Sequence, residues 1–208
     1  MKPLWLFDFD GVIANSLEFF EALLKQKLSA LGFDFLKTRE DFLGLFDSNL
    51  YVSLSQRGME WDDLERLFKS IENGTDFSPI RLYDGILDAV VKVKTVADTA
   101  IISSNRESQI EAILENNGAR RHFPTILGFC SDISKAKKMK RAVKDFDSEL
   151  KKTFYVADTI GDIAECKEAG VASVAVGWGW HSPAKLKRES PDYFVGDMGE
   201  LVELAMNT

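Results

Sequence analysis

The 208-residue chain is 45% hydrophobic and 28% charged, enough apolar side chain for one large domain or for one domain with a smaller one inserted into it. Its formal net charge of −7, with acids and bases interspersed, argues against a nucleic-acid or anionic-membrane surface, since either favours a basic patch; a small anion held by a local cation stays compatible. The two cysteines, Cys130 and Cys166, form no close pair and no Cys/His cluster of the zinc type, and they fit free, buried thiols in a reducing compartment better than the alternative, a disulfide between them.

After Met-Lys-Pro, the apolar run at residues 4–9 is too short for a signal-peptide core or a membrane span, so the expected location is the cytoplasm. Broken only by Asp8, the run predicts a strand buried on both faces, as in a parallel sheet. Asn15 and Glu18 have capping-box spacing, and Phe20, Leu24, Leu28 and Leu31 then recur at helical intervals up to Gly32. Thr38 is expected to cap a short second helix carrying Phe42, Leu45 and Phe46. A third helix over 61–73 puts Leu64, Leu67, Phe68 and Ile71 on one face and ends at Gly74. No strand is expected from Asn15 to Ser78. Residues 15–79 therefore read as an inserted all-helical unit, with 1–14 and 80–208 forming the remainder.

The pattern changes after Pro79. Ile86, Val90 and Val93 mark a helix opened by Asp84-Gly85, and residues 99–103 a second buried strand. A helix carrying Ile110, Ile113 and Leu114 closes at Gly118, and 125–129 predicts a third strand. Ser134 caps a basic helix over 135–146. A fourth strand at 153–157, a helix at 163–169 ended by Gly170, a fifth strand at 172–176, a weaker strand at 193–195 and a helix at 199–206 complete the chain. Strands alternating with helices imply right-handed crossovers, giving an α/β doubly wound parallel sheet covered on both faces.

Ligands of such sheets gather beyond the carboxyl ends of the strands. The first strand delivers Asp8 and Asp10 there, the second Ser103, Ser104 and Asn105, and the fourth Asp158 and Thr159, with Asp162 just beyond. Lys135 follows the third. Unpaired, these carboxylates would repel one another and lose charge. A divalent cation resolves the conflict, and oxygen-only ligands (Asp8, Asp10, Asp158 and Asp162) favour Mg2+, which binds readily with a substrate phosphate. Asp8 is positioned to attack phosphorus as a nucleophile and Asp10 to act as general acid and base. Gly11 lets backbone amides approach the phosphoryl oxygens, which Ser104 and Lys135 would hold.

These residues fall in four short motifs. DFDGVIANS, IISSN, SKAKKMKRA and VADTIGDI resemble, in order, the four motifs of the haloacid-dehalogenase-like hydrolase superfamily, close to its phosphoglycolate-phosphatase-like branch. The resemblance spans nearly the whole chain and implies a Rossmann-like core with a helical cap at the position of the insert. It implies a Mg2+-dependent phosphatase acting on a small phosphorylated metabolite through an aspartyl-phosphate. Asn105 follows the second-motif serine, as it often does in the family, and is assigned to the substrate. Ala157 stands where glycine is frequent and Asn15 where aspartate is frequent. Ser103 is the alternative to Ser104, and Lys137, Lys138 and Lys140 crowd Lys135.

Each residue also has an ordinary structural use: strand-end acids cap turns, Ser104 can cap a helix, and a lysine run is commonly a solvated face. His181 reads as a loop residue. Trp178 and Trp180 either flank the pocket or pack in the core, and Arg39, Arg57 and Arg106 either meet the substrate or, as is common for exposed arginines, simply lie at the surface. A dehalogenase or phosphonate hydrolase is disfavoured, because the family members with those activities generally lack the second aspartate, here Asp10. A sugar phosphomutase with the same motifs, and a catalytically inactive binding scaffold, are the alternatives.

Overall fold

The computed structural model describes residues 2–208. The chain begins with β1 (Leu4–Phe7) and β2 (Ala14–Asn15). Four helices follow: α1 (Leu17–Ala30), α2 (Arg39–Leu43), α3 (Leu50–Gln56) and α4 (Trp61–Glu72). Then come β3 (Arg81–Leu82), α5 (Ile86–Val96), β4 (Asp98–Ile102), α6 (Glu107–Asn116), β5 (Ile126–Leu127) and α7 (Lys135–Asp145). The last third holds β6 (Thr153–Ala157), α8 (Ile160–Ala169), β7 (Ala172–Val176), α9 (Pro183–Arg188), β8 (Tyr193–Val195) and α10 (Met198–Met206). Among the described residues no helix is long and apolar enough to cross a membrane.

Six strands make one parallel sheet in the order β5-β4-β1-β6-β7-β8. Alternation sends β1 side chains to two different cores. Leu4 and Leu6 join Ala136 and Met139 of α7 and Cys166 of α8. Trp5 and Phe7 join Val90 and Val93 of α5 and Leu201 of α10. All four are fully buried, which is why this strand carries no polar alternation. Phe7 is level with Ile101 of β4 and Val156 of β6, so three neighbouring strands end together.

The antiparallel pair β2·β3, with Asn15 opposite Arg81, brackets the four helices. This ribbon overturns the expectation of no strand at Asn15. It also overturns the capping box: Asn15 pairs in the ribbon, and Ser16 precedes α1 without a side-chain cap. The helix α3 was not expected in its serine-rich segment. Asn49 starts it by accepting from the Tyr51 amide at 3.1 Å. Nor was α9, which Ser182 caps and Pro183 begins.

The strand expected over 125–129 shrinks to β5, because the next amides leave the ladder. Gly128 N donates to Glu107 Oε1 at 2.9 Å and Phe129 N to the Asn105 carbonyl at 2.7 Å. Both cysteines are free; Cys166 is buried as expected, but Cys130 is exposed on the loop after β5.

The helical segment lies over the carboxyl edge of the sheet. Phe42 and Phe46 pack on Trp180, with centroids 5.4 and 4.7 Å away. Tyr51 stacks on Phe129 and donates its hydroxyl to the Ser104 carbonyl at 2.9 Å. The approach at α8 admits only glycine. A Cβ on Gly161 would stand 2.7 Å from the Ser48 carbonyl oxygen and 2.8 Å from that of Phe46.

Candidate active site

Asp8 directly follows β1. Its amide still donates to the Val156 carbonyl at 2.9 Å, so the side chain is held by the last rung of the ladder. Asp158 directly follows β6, and Asp162 lies in the first turn of α8, where the positive helix end favours a carboxylate. One oxygen from each of Asp8, Asp158 and Asp162 falls within 4.8 Å of the others, and all three residues are buried. Lys135, at the start of α7, donates Nζ to Asp8 Oδ2 at 2.7 Å and to Asp162 Oδ1 at 2.6 Å.

Burial raises the Asp8 carboxyl well above its ordinary range, against the opposing pull of Lys135. Burial likewise pushes Asp158 up to about 8. Burial would raise Asp162 too, but Lys135 and hydrogen bonding, including Thr159 Oγ1 at 2.8 Å, hold it below the usual value. The lysine in turn is raised by both carboxylates, which outweigh its own desolvation.

Asp158 places Oδ2 on the Trp180 amide at 2.7 Å, while its buried Oδ1 has no hydrogen-bond partner. A buried carboxylate oxygen without a partner is costly. Here it belongs to a cluster of oxygen donors, the chemistry that suits a hard divalent cation. The donor set fits one.

Asp10 stands outside this three-acid cluster, although the sequence counted it among the metal ligands. Its two oxygens are turned elsewhere: Oδ1 accepts from Ser16 Oγ and Oδ2 from Asn105 Nδ2, each at 2.6 Å. Burial raises its pKa to about 6 against these two donors and Lys135. Asn105, expected on the substrate, thus spends its amide on Asp10.

Gly11 also differs from expectation. Its amide donates to the Ala14 carbonyl at 2.9 Å rather than standing free. The residue is glycine for room and for backbone: φ is +73°, and a Cβ would meet Asp158 Oδ2 at 1.9 Å.

The structure separates the two serines. Ser103 is buried and its Oγ accepts from the Asn105 amide at 3.1 Å. Both line the cavity, but Ser104 gives only its carbonyl, to Tyr51, and its hydroxyl is not taken by the Asn105 amide. It separates the lysines as well. Lys135 reaches the acids, and buried Lys138 donates to the Ser103 and Gly128 carbonyls. Lys137 and Lys140 are exposed.

A cavity of about 70 Å³ joins Asp8, Asp10, Ser104, Lys135, Asp158 and Asp162 to the underside of the helical segment. Trp180 lines it, whereas Trp178 donates Nε1 to the Val12 carbonyl at 3.2 Å. His181 is structural: Nδ1 accepts from the Ile160 amide and Nε2 lies 3.1 Å from the Leu43 carbonyl, tying α8 to the helical segment. Burial lowers its pKa, so the ring stays neutral.

Sequence reasoning gave no role to the Trp180 amide, to Glu165, which accepts from the Lys135 amide at 2.8 Å, or to Gln109 on the cavity wall. None carries a local signal, because each acts by where it is brought.

The family model for haloacid dehalogenase-like hydrolases matches residues 5–176. A phosphoglycolate phosphatase of Synechococcus elongatus is 24% identical over 201 residues, covering 95% of this chain and 94% of its own. The pyrophosphatase PpaX of Listeria monocytogenes is 23% identical over 205 residues, covering 96% and 94%. Among solved structures, a haloacid dehalogenase-like family protein from Streptococcus pneumoniae superposes with a TM-score of 0.81 at 19% identity, covering 98% of both chains. A haloacid dehalogenase-like hydrolase from Bacteroides fragilis gives 0.80 at 20% identity, covering 97% of this chain and all of the other. Ordered motifs, a parallel sheet with its acids at the carboxyl edge, and a family match over most of the length converge: this chain belongs to the haloacid dehalogenase-like hydrolases.

Proposed function

We propose that the chain is a Mg2+-dependent phosphatase that hydrolyses a small phosphate monoester through an aspartyl-phosphate on Asp8. The observation that carries this reading is the buried cluster of Asp8, Asp158 and Asp162 beside Lys135, with Asp158 Oδ1 lacking any partner. The names of the relatives, a phosphoglycolate phosphatase and a pyrophosphatase, support the same chemistry. Asp8, Asp158 and Asp162 would hold the cation, which neutralises the carboxylates and the phosphoryl oxygens they face.

In the first step an Asp8 carboxylate oxygen forms a bond to phosphorus as the ester P–O bond breaks. Asp10, protonated, gives its proton to the departing alkoxide, and the alcohol leaves. In the second step the Asp10 carboxylate takes a proton from water, whose oxygen bonds to phosphorus. The Asp8–phosphorus bond breaks, inorganic phosphate leaves, and both residues return to their starting states. A pKa near 6 suits Asp10 to both roles close to neutrality. Ser16 and Asn105 orient it, Ser104 Oγ and Lys135 Nζ hold phosphoryl oxygens, and Lys135 balances charge as it develops. The helical unit, residues 15–79, acts as a cap on the core formed by 1–14 and 80–208, excluding bulk water and contacting the leaving group.

Phosphate release from a panel of monoesters, with Mg2+ and after its removal by a chelator, tests the proposal. Turnover should require the metal and disappear in Asp8→Asn. Full activity in that variant would sink the reading.

A further inference from the structure

The cavity above the acids is walled mainly by apolar side chains, with Ser48, Asn49 and Gln109 as neutral polar neighbours. Phe20, Leu24, Phe42, Phe46, Phe68 and Ile71 face it from the helical segment, joined by Trp180 from the core. The charged residues lining it are Asp8, Asp10, Asp158, Asp162, Glu165 and Lys135. Lys135 is the single cation in that set, and both Asp8 and Asp162 already hold its Nζ. Glu165, the one charge outside the proposed machinery, is acidic.

The arginines of the helical segment and of the second motif are engaged elsewhere. Arg57 donates to the Ser53 carbonyl at 3.0 Å and lies over Phe35. Arg106 pairs with Glu72 at 3.3 Å and lies over Phe129. Arg39 pairs with Glu21 at 2.7 Å. The polar side chains contributed by the helical segment are also engaged: Ser48 Oγ with Ser53 Oγ, and Asn49 with the Tyr51 amide and the Ile133 carbonyl.

A carboxylate or second phosphate attached to the leaving group would be desolvated against hydrocarbon with no counter-charge, beside acids of its own sign. We infer that the leaving group is small, uncharged and largely apolar. Aromatic and aliphatic carbons form its binding surface, and the phosphoryl group is the sole anionic part of the substrate. This rests on the phosphatase reading and goes further, since it sets the chain apart from the substrates in its relatives' names. Phosphoglycolate carries a carboxylate and pyrophosphate a second phosphate. The selectivity comes from an unmet charge, a stronger discriminator than a missing methylene.

The test compares kcat/KM of the full chain with Mg2+ for phenyl phosphate, ethyl phosphate, 2-phosphoglycolate and inorganic pyrophosphate. The two esters with neutral leaving groups should exceed the two competitors that carry a second anionic group by about 100-fold, after correction for leaving-group pKa. Phosphoglycolate or pyrophosphate turned over as well as or better than ethyl phosphate would overturn the inference while leaving the phosphatase reading intact. Absence of turnover with every compound would overturn both. Phe20→Arg, which puts a cation on the wall, should narrow the preference against phosphoglycolate by about tenfold; an unchanged ratio in a folded variant counts against the inference. Should that variant not fold, the wild-type comparison decides alone.

Discussion

Lys135 Nζ lies 2.7 Å from Asp8 Oδ2, a buried ion pair between residues 127 positions apart. It joins the start of α7 to the end of β1, and Asp162 completes it from α8. Removing one partner of such a group strands the others as uncompensated buried charge.

Lys135→Met should therefore lose about 3–5 kcal/mol of stability in metal-free buffer, read by urea denaturation. Saturating Mg2+ should restore part of that loss, since a cation can answer the same carboxylates. Turnover should stay depressed by about 100-fold or more, because phosphoryl oxygens lose a donor. Wild-type stability in the metal-free variant would show that the pair contributes little.

Asp158→Asn separates metal binding from packing. Burial pushes this carboxyl to about 8, so at pH 7 the metal-free protein carries it mainly as the neutral acid. Its near-isosteric amide should cost little stability without metal. Mg2+ at a hundred times its Kd should stabilise the wild type by about 2.7 kcal/mol, whereas the variant should need far more metal for the same shift. Equal metal-dependent shifts in thermal unfolding would remove Asp158 from the ligand set.

Gly11→Ala is expected to do damage out of proportion to one methyl group. The residue sits at φ +73°, and the new carbon would fall 1.9 Å from Asp158 Oδ2. Either the turn moves or Asp158 does. A loss above about 2 kcal/mol, with weakened Mg2+ binding by calorimetry, follows from strain and overlap together. Undiminished metal affinity would mean that the turn yields instead.

Ser16→Ala probes the orientation of Asp10. The hydroxyl reaches Oδ1 at 2.6 Å and makes no cap for α1. A fall in kcat of about tenfold, with KM nearly unchanged and the fold intact, is the expected split. A change confined to KM would place Ser16 with substrate binding.

Lys138 offers a pH test on a group outside the acid cluster itself. It is almost fully buried, and burial, with Lys135 nearby, lowers its pKa from 10.5 to about 8. The folded state thus holds this proton less tightly than the unfolded chain. The resulting cost is complete below about pH 8 and shrinks as pH rises toward 10.5. Wild-type stability measured relative to Lys138→Met should rise across that window. A flat difference between the two proteins would refute the assignment.

Much of this architecture was legible in local pattern. The uninterrupted run at the first strand demanded burial on both faces, and β1 has it. Asp8, Asp10 and Asp158 stood out at the ends of apolar runs, and Asp162 and Lys135 by following such strands within the motifs that resemble the family's. Where local pattern misled, a long-range partner had intervened. Asn15 looked like a helix cap until Arg81 paired with it. The third strand was cut short because Glu107 and the Asn105 carbonyl captured the amides after it.

Spacing along the chain therefore pointed to the residue types that gather at one sheet edge, since parallel strands joined by right-handed crossovers present their carboxyl ends on the same side. It could not say which atoms meet. That Asp10 turns to Ser16 and Asn105, and that Phe42 and Phe46 close the cavity against Trp180, depend on packing between distant segments. Hydrogen-bond partnership and exclusion of water are properties of the assembled core, decided by angstrom-scale competition that no single stretch of sequence contains.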